Sequence, residues 1–264
     1  MSLAVVITGA SSGIGRELTL QFAALGTRIV AASRNADALQ GVAELARERG
    51  ALEVEVVPTD VTQPEQCQAL IAHAVQAFGR LDILVNNAGV SQWARLDELT
   101  DVTVMERLMR VNYLGAAWCT HAALPHLAAS RGRIVAVSSL AGLTGVPTHS
   151  AYAASKHAMR GFFDSVRVEM APKGVSVTVA YPGFVTTAIR ENSLGPDGTP
   201  LGRGPLREGG VMTVEECSRL IVRATMKRER EVVMTLRGKV GRWLKLIAPG
   251  LIDRVATETI RRGR

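Results

Sequence analysis

Residues 8–15 of this chain read Thr8-Gly9-Ala10-Ser11-Ser12-Gly13-Ile14-Gly15, and this stretch decides the fold. The apolar run at residues 3–8 predicts a buried strand, and apolar residues at helical spacing after the glycines predict a helix that ends near Gly26. A glycine-rich turn between a strand and a helix lets a pyrophosphate approach the backbone, where the helix N-terminus offers free N–H groups. The spacing Gly-x-x-x-Gly-x-Gly also fits a purely structural turn. We predict a dinucleotide site at Gly9, Ser11, Ser12, Gly13, Ile14 and Gly15.

The same alternation of strand and helix continues along the chain. Short apolar or alternating runs predict strands at residues 28–33, 53–57, 81–85, 133–137, 175–180 and 231–236. Helical spacing predicts helices at residues 36–49, 64–78, 100–127 and 213–227. Strands joined by helical crossovers form a parallel sheet that is covered on both faces. We therefore predict an α/β fold over residues 1–236: a single doubly wound Rossmann domain with a seven-stranded parallel sheet in the order 3-2-1-4-5-6-7.

The second predicted strand ends in Ser33-Arg34-Asn35. Rossmann units that bind NAD usually carry an acid here, which holds the ribose 2′-hydroxyl. Neither Ser33 nor Arg34 is acidic, and a guanidinium matches the geometry of a 2′-phosphate. We expect NADP(H) rather than NAD(H), the alternative being that Arg34 is a solvated surface arginine. Asp60 follows the third predicted strand, where its loop can reach an adenine.

The chemistry is predicted at Tyr152-Ala-Ala-Ser-Lys156. On a helix the phenol and the ammonium lie one turn apart on the same face. A free tyrosine has a pKa of about 10, and a nearby cation favours the phenolate and lowers that pKa. Such a tyrosine can donate a proton to a carbonyl oxygen or take one from an alcohol, while a nicotinamide cofactor supplies the hydride. The structural alternative is a partly buried tyrosine beside an exposed lysine.

Other polar residues and loops are predicted around that helix. Ser139 follows the fifth predicted strand, thirteen residues before Tyr152, so its hydroxyl can hold the same carbonyl oxygen. Asn112 lies in apolar surroundings inside the longest predicted helix, which predicts a buried partner or a kink. Residues 86–89, Asn-Asn-Ala-Gly, suit a turn whose side chains brace the backbone. Residues 184–210 are rich in glycine and proline and predict a substrate lid.

The composition, with 47% hydrophobic and 21% charged residues, is that of an ordinary soluble globular protein. Three widely spaced cysteines and five histidines form neither a disulfide framework nor a ligand pattern, so we expect no metal site and a reducing compartment. We find no signal peptide and no apolar run of about 18 residues, the length that suggests a membrane span. The expected location is therefore cytoplasmic.

The net charge of +7 comes from the C-terminal part of the chain. Residues 226–264 hold eleven Lys and Arg against four Asp and Glu, so the rest of the chain is neutral overall. We expect a basic amphipathic helix at residues 239–249, within an extension at residues 237–264. Its apolar face holds Val240, Trp243, Leu244 and Ile247, and its basic side holds Lys239, Arg242 and Lys245.

Several partners are compatible with such a helix. Its apolar face can pack on the core under a solvated basic face, or lie on a membrane surface or a lipophilic substrate. It can equally cover the substrate cleft or join a second subunit. We expect no nucleic-acid partner, because the basic residues have no aromatic stacking platform among them.

Together these motifs resemble the short-chain dehydrogenase/reductase family, up to about residue 236. The cofactor turn and the Asn-Asn-Ala-Gly element match in register with a Pro-Gly-x-Val-x-Thr element at Pro182, Gly183, Val185 and Thr187. Four further residues match the catalytic tetrad of that family at its spacing: Asn112, Ser139, Tyr152 and Lys156. The pattern of the tail is similar to the branch containing 11-beta-hydroxysteroid dehydrogenase, whose members reduce bulky apolar ketones.

The resemblance implies a role for each residue. Tyr152 would be the general acid in reduction and the base in oxidation, and Lys156 would lower its pKa and hold the nicotinamide ribose. Ser139 would orient the substrate oxygen, and Asn112 would hold a water that relays protons to Lys156. Adenine contacts would come from Asp60 and Val61, and contacts to its ribose from Asn87, Ala88 and Gly89. Many members that prefer NADP carry a second basic residue where this chain has Ser12, so recognition of a 2′-phosphate rests on Arg34.

We therefore expect an NADP(H)-dependent oxidoreductase that interconverts a carbonyl and an alcohol, on a fairly apolar ketone or aldehyde. One alternative is reduction of 3-oxoacyl thioesters, and another is a non-catalytic NADPH-binding sensor or scaffold. The resemblance also implies a homodimer or homotetramer formed through the helices that hold Asn112 and Tyr152.

Overall fold

The computed structural model describes residues 2–185, 193–202 and 211–262. Seven strands of this part form one parallel sheet in the order β3-β2-β1-β4-β5-β6-β7, which confirms the predicted doubly wound topology. The strand order reverses between β1 and β4, the place where such sheets open a ligand crevice at their carboxyl edge. The strands are β1 Ala4–Thr8, β2 Arg28–Ser33, β3 Glu53–Pro58, β4 Ile83–Asn86, β5 Arg133–Val137, β6 Ser176–Tyr181 and β7 Glu231–Val233.

Helices cover both faces of the sheet. The helices α1, α2 and α7 pack on one face, and α3, α5 and α6 pack on the other. Because both faces are covered, β1 is buried along its whole length, as its uninterrupted apolar sequence requires. The helices are α1 Gly13–Ala23, α2 Ala36–Glu48, α3 Pro64–Phe78, α4 Thr103–Leu108, α5 Gly115–Ser130, α6 Ser150–Met170, α7 Val214–Met226, α8 Leu236–Ile247 and α9 Pro249–Arg262.

Most predicted elements shift by only one or two residues at their ends, and three places depart further from the prediction. The helix predicted at residues 100–127 is divided into α4, a π-helical turn over Met109–Leu114 and α5. The strand predicted at residues 231–236 ends at Val233, because Thr235 caps α8 by accepting a hydrogen bond of 3.0 Å from the backbone N–H of Gly238. The helix α9 was not predicted, since Pro249 ended the predicted helix but begins a second one in the structure.

The basic side of α8 faces the domain. Arg242 forms an ion pair with Glu231 of β7, and Lys245 Nζ donates a hydrogen bond of 3.1 Å to the carbonyl oxygen of Leu143. On the outer side, Trp243 is 62% exposed and Ile247 is 84% exposed. The alternative of a solvated basic face above a core-packed apolar face is therefore wrong, because these polar contacts turn the helix the other way.

Two further observations concern the whole described part of the chain. No described helix combines the length and the apolar character that a membrane crossing requires. Cys67, Cys119 and Cys217 are free thiols, and all three are buried.

Candidate active site

The glycine turn after β1 is too tight for side chains. Gly9 has a φ of +66°, and a Cβ at Gly15 would lie 2.1 Å from the carbonyl oxygen of Gly9. Ser12 caps α1 in an extended conformation without a side-chain hydrogen bond, and the first turn of α1 contains no acid. The N–H groups at the start of α1 therefore stay available to an anion, and the turn fits a dinucleotide pyrophosphate.

The loop after β4 is tied to this turn, as the Asn-Asn-Ala-Gly element predicted. The Asn87 side-chain amide donates hydrogen bonds to the carbonyl oxygens of Thr8, at 2.9 Å, and Gly9, at 3.2 Å. The Thr8 hydroxyl in turn accepts from the backbone N–H groups of Asn87 and Ala88, both at 3.1 Å. These bonds fix the two loops that border the crevice at the switch point of the sheet.

A cavity of about 1070 Å³ follows the carboxyl edge of the sheet and brings the predicted residues together. Its lining includes three of the four predicted catalytic residues, Ser139, Tyr152 and Lys156. Thr187 and most of the predicted lid lie outside the described residues. The predicted cofactor residues in the lining are Gly9, Ser11, Ser12, Gly13, Ile14, Gly15, Ser33, Arg34, Asn35, Asp60, Val61, Asn87, Ala88, Gly89, Tyr152, Lys156, Pro182, Gly183 and Val185.

Tyr152 and Lys156 lie one turn apart near the start of α6, as predicted. Burial raises the pKa of Tyr152, and a hydrogen bond with the Ser139 side chain opposes that rise. This direction differs from the expected lowering by Lys156, whose Nζ lies 5.7 Å from the centroid of the Tyr152 ring. Lys156 Nζ instead donates to the carbonyl oxygen of Val137 at 2.9 Å, and burial lowers the pKa of Lys156 to about 8.

Asn112 is fully buried in the π-helical turn and is absent from the cavity lining among the described residues. Its amide donates to the carbonyl oxygen of Val90 and to the hydroxyl of Ser155, both at 2.9 Å, and its oxygen accepts from the backbone N–H of Val90 at 2.8 Å. The buried partner, one of the two predicted alternatives, is thus confirmed, because Ser155 is itself fully buried. The residue joins the loop after β4 to the helix that holds Tyr152.

The residues after β2 and β3 have local partners, with one exception. The Asn35 side chain caps α2 by accepting from the backbone N–H of Ala38 at 3.0 Å. Asp60 accepts from the backbone N–H and the hydroxyl of Thr62, both at 2.9 Å. Arg34 is exposed, and its guanidinium has no hydrogen bond or ion pair among the described residues. Its positive charge therefore stays available at the end of β2.

The helix α8 contributes to the lining, in agreement with the alternative that it covers the substrate cleft. Sequence reasoning missed two other parts of the cavity wall, the helix α9 and the pair Trp93 and His149. The position of His149, three residues before Tyr152, could have identified it as a cavity residue from the sequence. No comparable signal existed for α9, because its contribution depends on how the extension folds back over the domain.

The family model described as short chain dehydrogenase matches residues 3–196. The 11-beta-hydroxysteroid dehydrogenase A of Sesamum indicum is 38% identical over 254 residues, which cover 94% of this chain and 73% of that protein. Dehydrogenase/reductase SDR family member 7B of Mus musculus is 35% identical over 268 residues, covering 98% of this chain and 82% of that protein.

Solved structures agree with these relatives. A short chain dehydrogenase/reductase from Burkholderia phymatum, in complex with NAD, has a TM-score of 0.84 at 28% identity and covers 95% of each chain. An alcohol dehydrogenase from Thermococcus sibiricus, complexed with 5-hydroxy-NADP, has a TM-score of 0.74 at 26% identity and covers 88% of this chain and 95% of that one. The chain therefore belongs to the short chain dehydrogenase family of oxidoreductases and is similar to its 11-beta-hydroxysteroid dehydrogenase-like members.

Proposed function

We propose that this protein is an NADP(H)-dependent oxidoreductase that interconverts a carbonyl and an alcohol, with Tyr152 as the general acid and base. The observation that carries the proposal is one cavity lined by the glycine turn, by Arg34 and by the Ser139–Tyr152 pair. A dinucleotide-binding sensor would need the first two features only. A tyrosine hydroxyl that shares the cavity with a serine, whose side chain opposes the rise of its pKa, favours chemistry on a bound carbonyl.

The nicotinamide, when bound, supplies or accepts the hydride. Tyr152 is the proton donor in reduction, because its raised pKa keeps the phenol neutral at pH 7. The Ser139 hydroxyl orients the carbonyl oxygen that receives this proton. In the direction of oxidation Tyr152 must lose its proton first. Lys156 assists that step, because with a pKa of about 8 it is mostly cationic at neutral pH and so favours the phenolate.

The preference for NADP(H) rests on Arg34. Its exposed guanidinium lines the cavity next to Ser33, and no acid takes the position that usually holds a ribose 2′-hydroxyl. A guanidinium forms paired, charge-assisted hydrogen bonds with phosphate oxygens. Ser12 also lines the cavity, without a side-chain cap bond of its own. The Burkholderia relative in complex with NAD makes NADH the competing cofactor, which the experiment below tests directly.

The expected substrate is a fairly apolar ketone or aldehyde. Apolar side chains from the loop before α6 and from the C-terminal helices line the cavity: Leu143, Val146, Ile252 and Val255. The relatives named 11-beta-hydroxysteroid dehydrogenase also favour a bulky apolar ketone. A 3-oxoacyl thioester is the competing substrate class.

The test is NADPH consumption by the purified protein with a panel of steroid ketones, retinal, acetoacetyl thioesters and small aromatic ketones, with NADH run in parallel. We expect turnover of an apolar ketone or aldehyde with NADPH and a rate at least tenfold lower with NADH. Turnover confined to the thioester would replace the proposed substrate class, and a preference for NADH would refute the role of Arg34. Tight NADPH binding with no turnover of any carbonyl would favour the sensor.

We also propose that the outer surface of α8 contacts an anionic membrane, as a peripheral attachment on the cytoplasmic side. Trp243, Leu246 and Ile247 are 62%, 75% and 84% exposed, and the part of the chain that contains them carries the whole net charge of +7. Exposed apolar residues on a basic segment are complementary to a bilayer of anionic lipids. The C-terminal helices also line the cavity, so an apolar substrate dissolved in the bilayer would have a short route to Tyr152.

This attachment is tested by co-sedimentation with vesicles of phosphatidylcholine alone and of phosphatidylcholine mixed with phosphatidylglycerol. We expect binding to the anionic vesicles only, lost at high salt and in the double variant Trp243→Glu and Ile247→Glu. If the wild type binds neither kind of vesicle and forms a dimer that the double variant does not form, the surface is a subunit interface instead. A homodimer or homotetramer through the helices that hold Asn112 and Tyr152 is proposed separately, and light scattering of the same samples tests it.

A further inference from the structure

His149 lies in the cavity wall immediately before α6. The residue is only 8% exposed. Its ring centroid is 4.7 Å from that of Trp93, edge to face, and 6.1 Å from that of Tyr152. A substrate whose carbonyl lies at Tyr152 would place the groups next to that carbonyl beside His149.

The hydrogen bonds of the imidazole determine which nitrogen carries the proton. Nδ1 of His149 lies 3.1 Å from the carbonyl oxygen of Pro147 and 3.0 Å from the hydroxyl of Thr148. The carbonyl can only accept, and the Thr148 hydroxyl donates its own proton to that same carbonyl, so both contacts require a proton on Nδ1. In the neutral ring Nε2 is then a hydrogen-bond acceptor. Burial lowers the pKa of His149, which keeps the ring neutral at pH 7.

Nε2 of His149 has no hydrogen-bond partner among the described residues. Trp93 lines the same cavity, and its indole N–H likewise makes no hydrogen bond within the described part of the chain. An apolar cavity wall thus presents one acceptor and one donor beside Tyr152. Neither nitrogen is sealed inside the protein, and both residues line the cavity, so a bound ligand can reach and pair with both groups.

The loops that carry both rings are held in place. The buried Gln92 side chain accepts a hydrogen bond of 3.0 Å from the backbone N–H of Ala151 and donates to the carbonyl oxygen of Ala94 at 3.2 Å. The backbone N–H of Ala94 donates to the carbonyl oxygen of Thr148 at 2.9 Å, although Thr148 has a φ of +68° that is unfavourable for a β-branched residue. A strained residue that is fixed from both sides is typical of a preorganised binding site.

We propose that His149 Nε2 and the Trp93 indole form a subsite for a hydroxyl group carried by the substrate a few bonds from its reacting carbonyl. The hydroxyl donates to Nε2, and its oxygen accepts from the indole N–H. This inference rests on the proposed function and narrows its substrate to apolar hydroxyketones or hydroxyaldehydes. A site built to accept a hydrogen bond from a substrate hydroxyl discriminates against an analogue that lacks that donor.

The test compares kcat/KM for matched ketones with NADPH: 2-hydroxyacetophenone against acetophenone, and benzoin against deoxybenzoin. We expect the wild type to prefer the hydroxylated member of a pair at least tenfold. In His149→Phe this preference should fall at least fivefold, mainly through KM, and His149→Gln should restore part of it because its side chain can still accept. His157→Phe is the matched control, since His157 lies on the exposed side of α6 and outside the cavity lining.

The possible results distinguish a failure of the proposed function from a failure of the hydroxyl subsite. No turnover of either pair, nor of the wider carbonyl panel, would refute the proposed function. Turnover with equal kcat/KM for both members of a pair in the wild type would overturn the subsite alone. An unchanged preference in His149→Phe would also overturn it. If His149→Phe does not fold, the wild-type ratio and the His149→Gln variant decide the question.

Discussion

The ammonium group of Lys156 donates a hydrogen bond of 2.9 Å to the carbonyl oxygen of Val137, the last residue of β5. The helix α6 is thereby fastened to the sheet edge through a buried cation. That cation is costly to bury, which is why the pKa of Lys156 is lowered to about 8.

This pKa predicts how stability depends on pH in the protein without cofactor. The folded-state pKa of Lys156, about 8, lies below the value of about 10.4 for a lysine in an unfolded chain. Between these values the unfolded chain binds more protons, so the contribution of Lys156 to the free energy of unfolding rises with pH. We expect a slope of up to about 1.4 kcal/mol per pH unit from pH 8 to about 10.4.

The measurement is urea denaturation of the wild type and of Lys156→Met across that pH range. The free energy of unfolding of the wild type should increase relative to that of Lys156→Met as the pH increases. Lys173→Met is the control, since Lys173 lies in an exposed turn. A difference that stays flat above pH 8 would show that Lys156 keeps an ordinary pKa in the folded state.

Tyr152→Phe should keep NADPH binding and lose turnover. The change removes the proton donor and leaves the ring, so we expect kcat to fall by about 10²- to 10⁴-fold, the usual contribution of general acid catalysis. Cofactor fluorescence reports binding, and NADPH consumption reports turnover. Tyr113→Phe is the matched control, because Tyr113 packs against Phe162 outside the cavity lining. Full activity of Tyr152→Phe would refute the proposed mechanism.

Arg34→Asp should reverse the cofactor preference. The carboxylate would repel a 2′-phosphate and accept from a ribose 2′-hydroxyl, as the acid of NAD-binding units does. A lost charge-assisted hydrogen bond is worth about 1.5–3 kcal/mol, which corresponds to roughly a 10- to 150-fold loss of NADPH affinity. Titration with NADPH and with NADH measures the ratio of the two affinities. Arg49→Asp makes the same charge change outside the cavity lining and should leave the ratio alone. An unchanged ratio in Arg34→Asp would refute the recognition of the 2′-phosphate by Arg34.

Gly115→Ala should destabilise the protein, and Gly161→Ala should not. A Cβ at Gly115 would lie 2.8 Å from Cβ of Val61, which lines the cavity, so we expect a loss of about 1–3 kcal/mol and weaker NADPH binding. At Gly161 nothing lies within 4 Å of an added Cβ, and alanine should gain roughly 0.5–1 kcal/mol through helix propensity. Urea denaturation compares the two variants. Equal changes in the free energy of unfolding would mean that Val61 moves aside without cost.

Most of the sheet and the glycine turn were predictable because local sequence determines them. The strand at Arg133–Val137 is an apolar run that is buried on both faces, and Gly15 sits where any Cβ would meet the carbonyl oxygen of Gly9. Tyr152 and Lys156 needed only helical spacing to come together. In each case neighbours in sequence provide the interactions that decide the structure.

The remaining parts depend on contacts between distant segments. The π-helical turn follows from the bonds of Asn112 with Val90, twenty-two residues earlier in the chain. The orientation of α8 depends on the Arg242–Glu231 pair, whereas amphipathic periodicity alone left open whether the apolar face is buried. The direction of the pKa shift of Tyr152 depends on burial, which residue spacing does not report.

The π-helical turn over Met109–Leu114 also determines what a change in chain length at this place would do. Such a turn holds about one residue more than an α-helical turn, and one residue corresponds to roughly 100° of rotation about the helix axis. Deleting one residue there would give a continuous helix but would rotate α4 and carry the buried Val104 and Leu108 away from the core. The number of residues in this turn therefore determines which face of α4 points to the core.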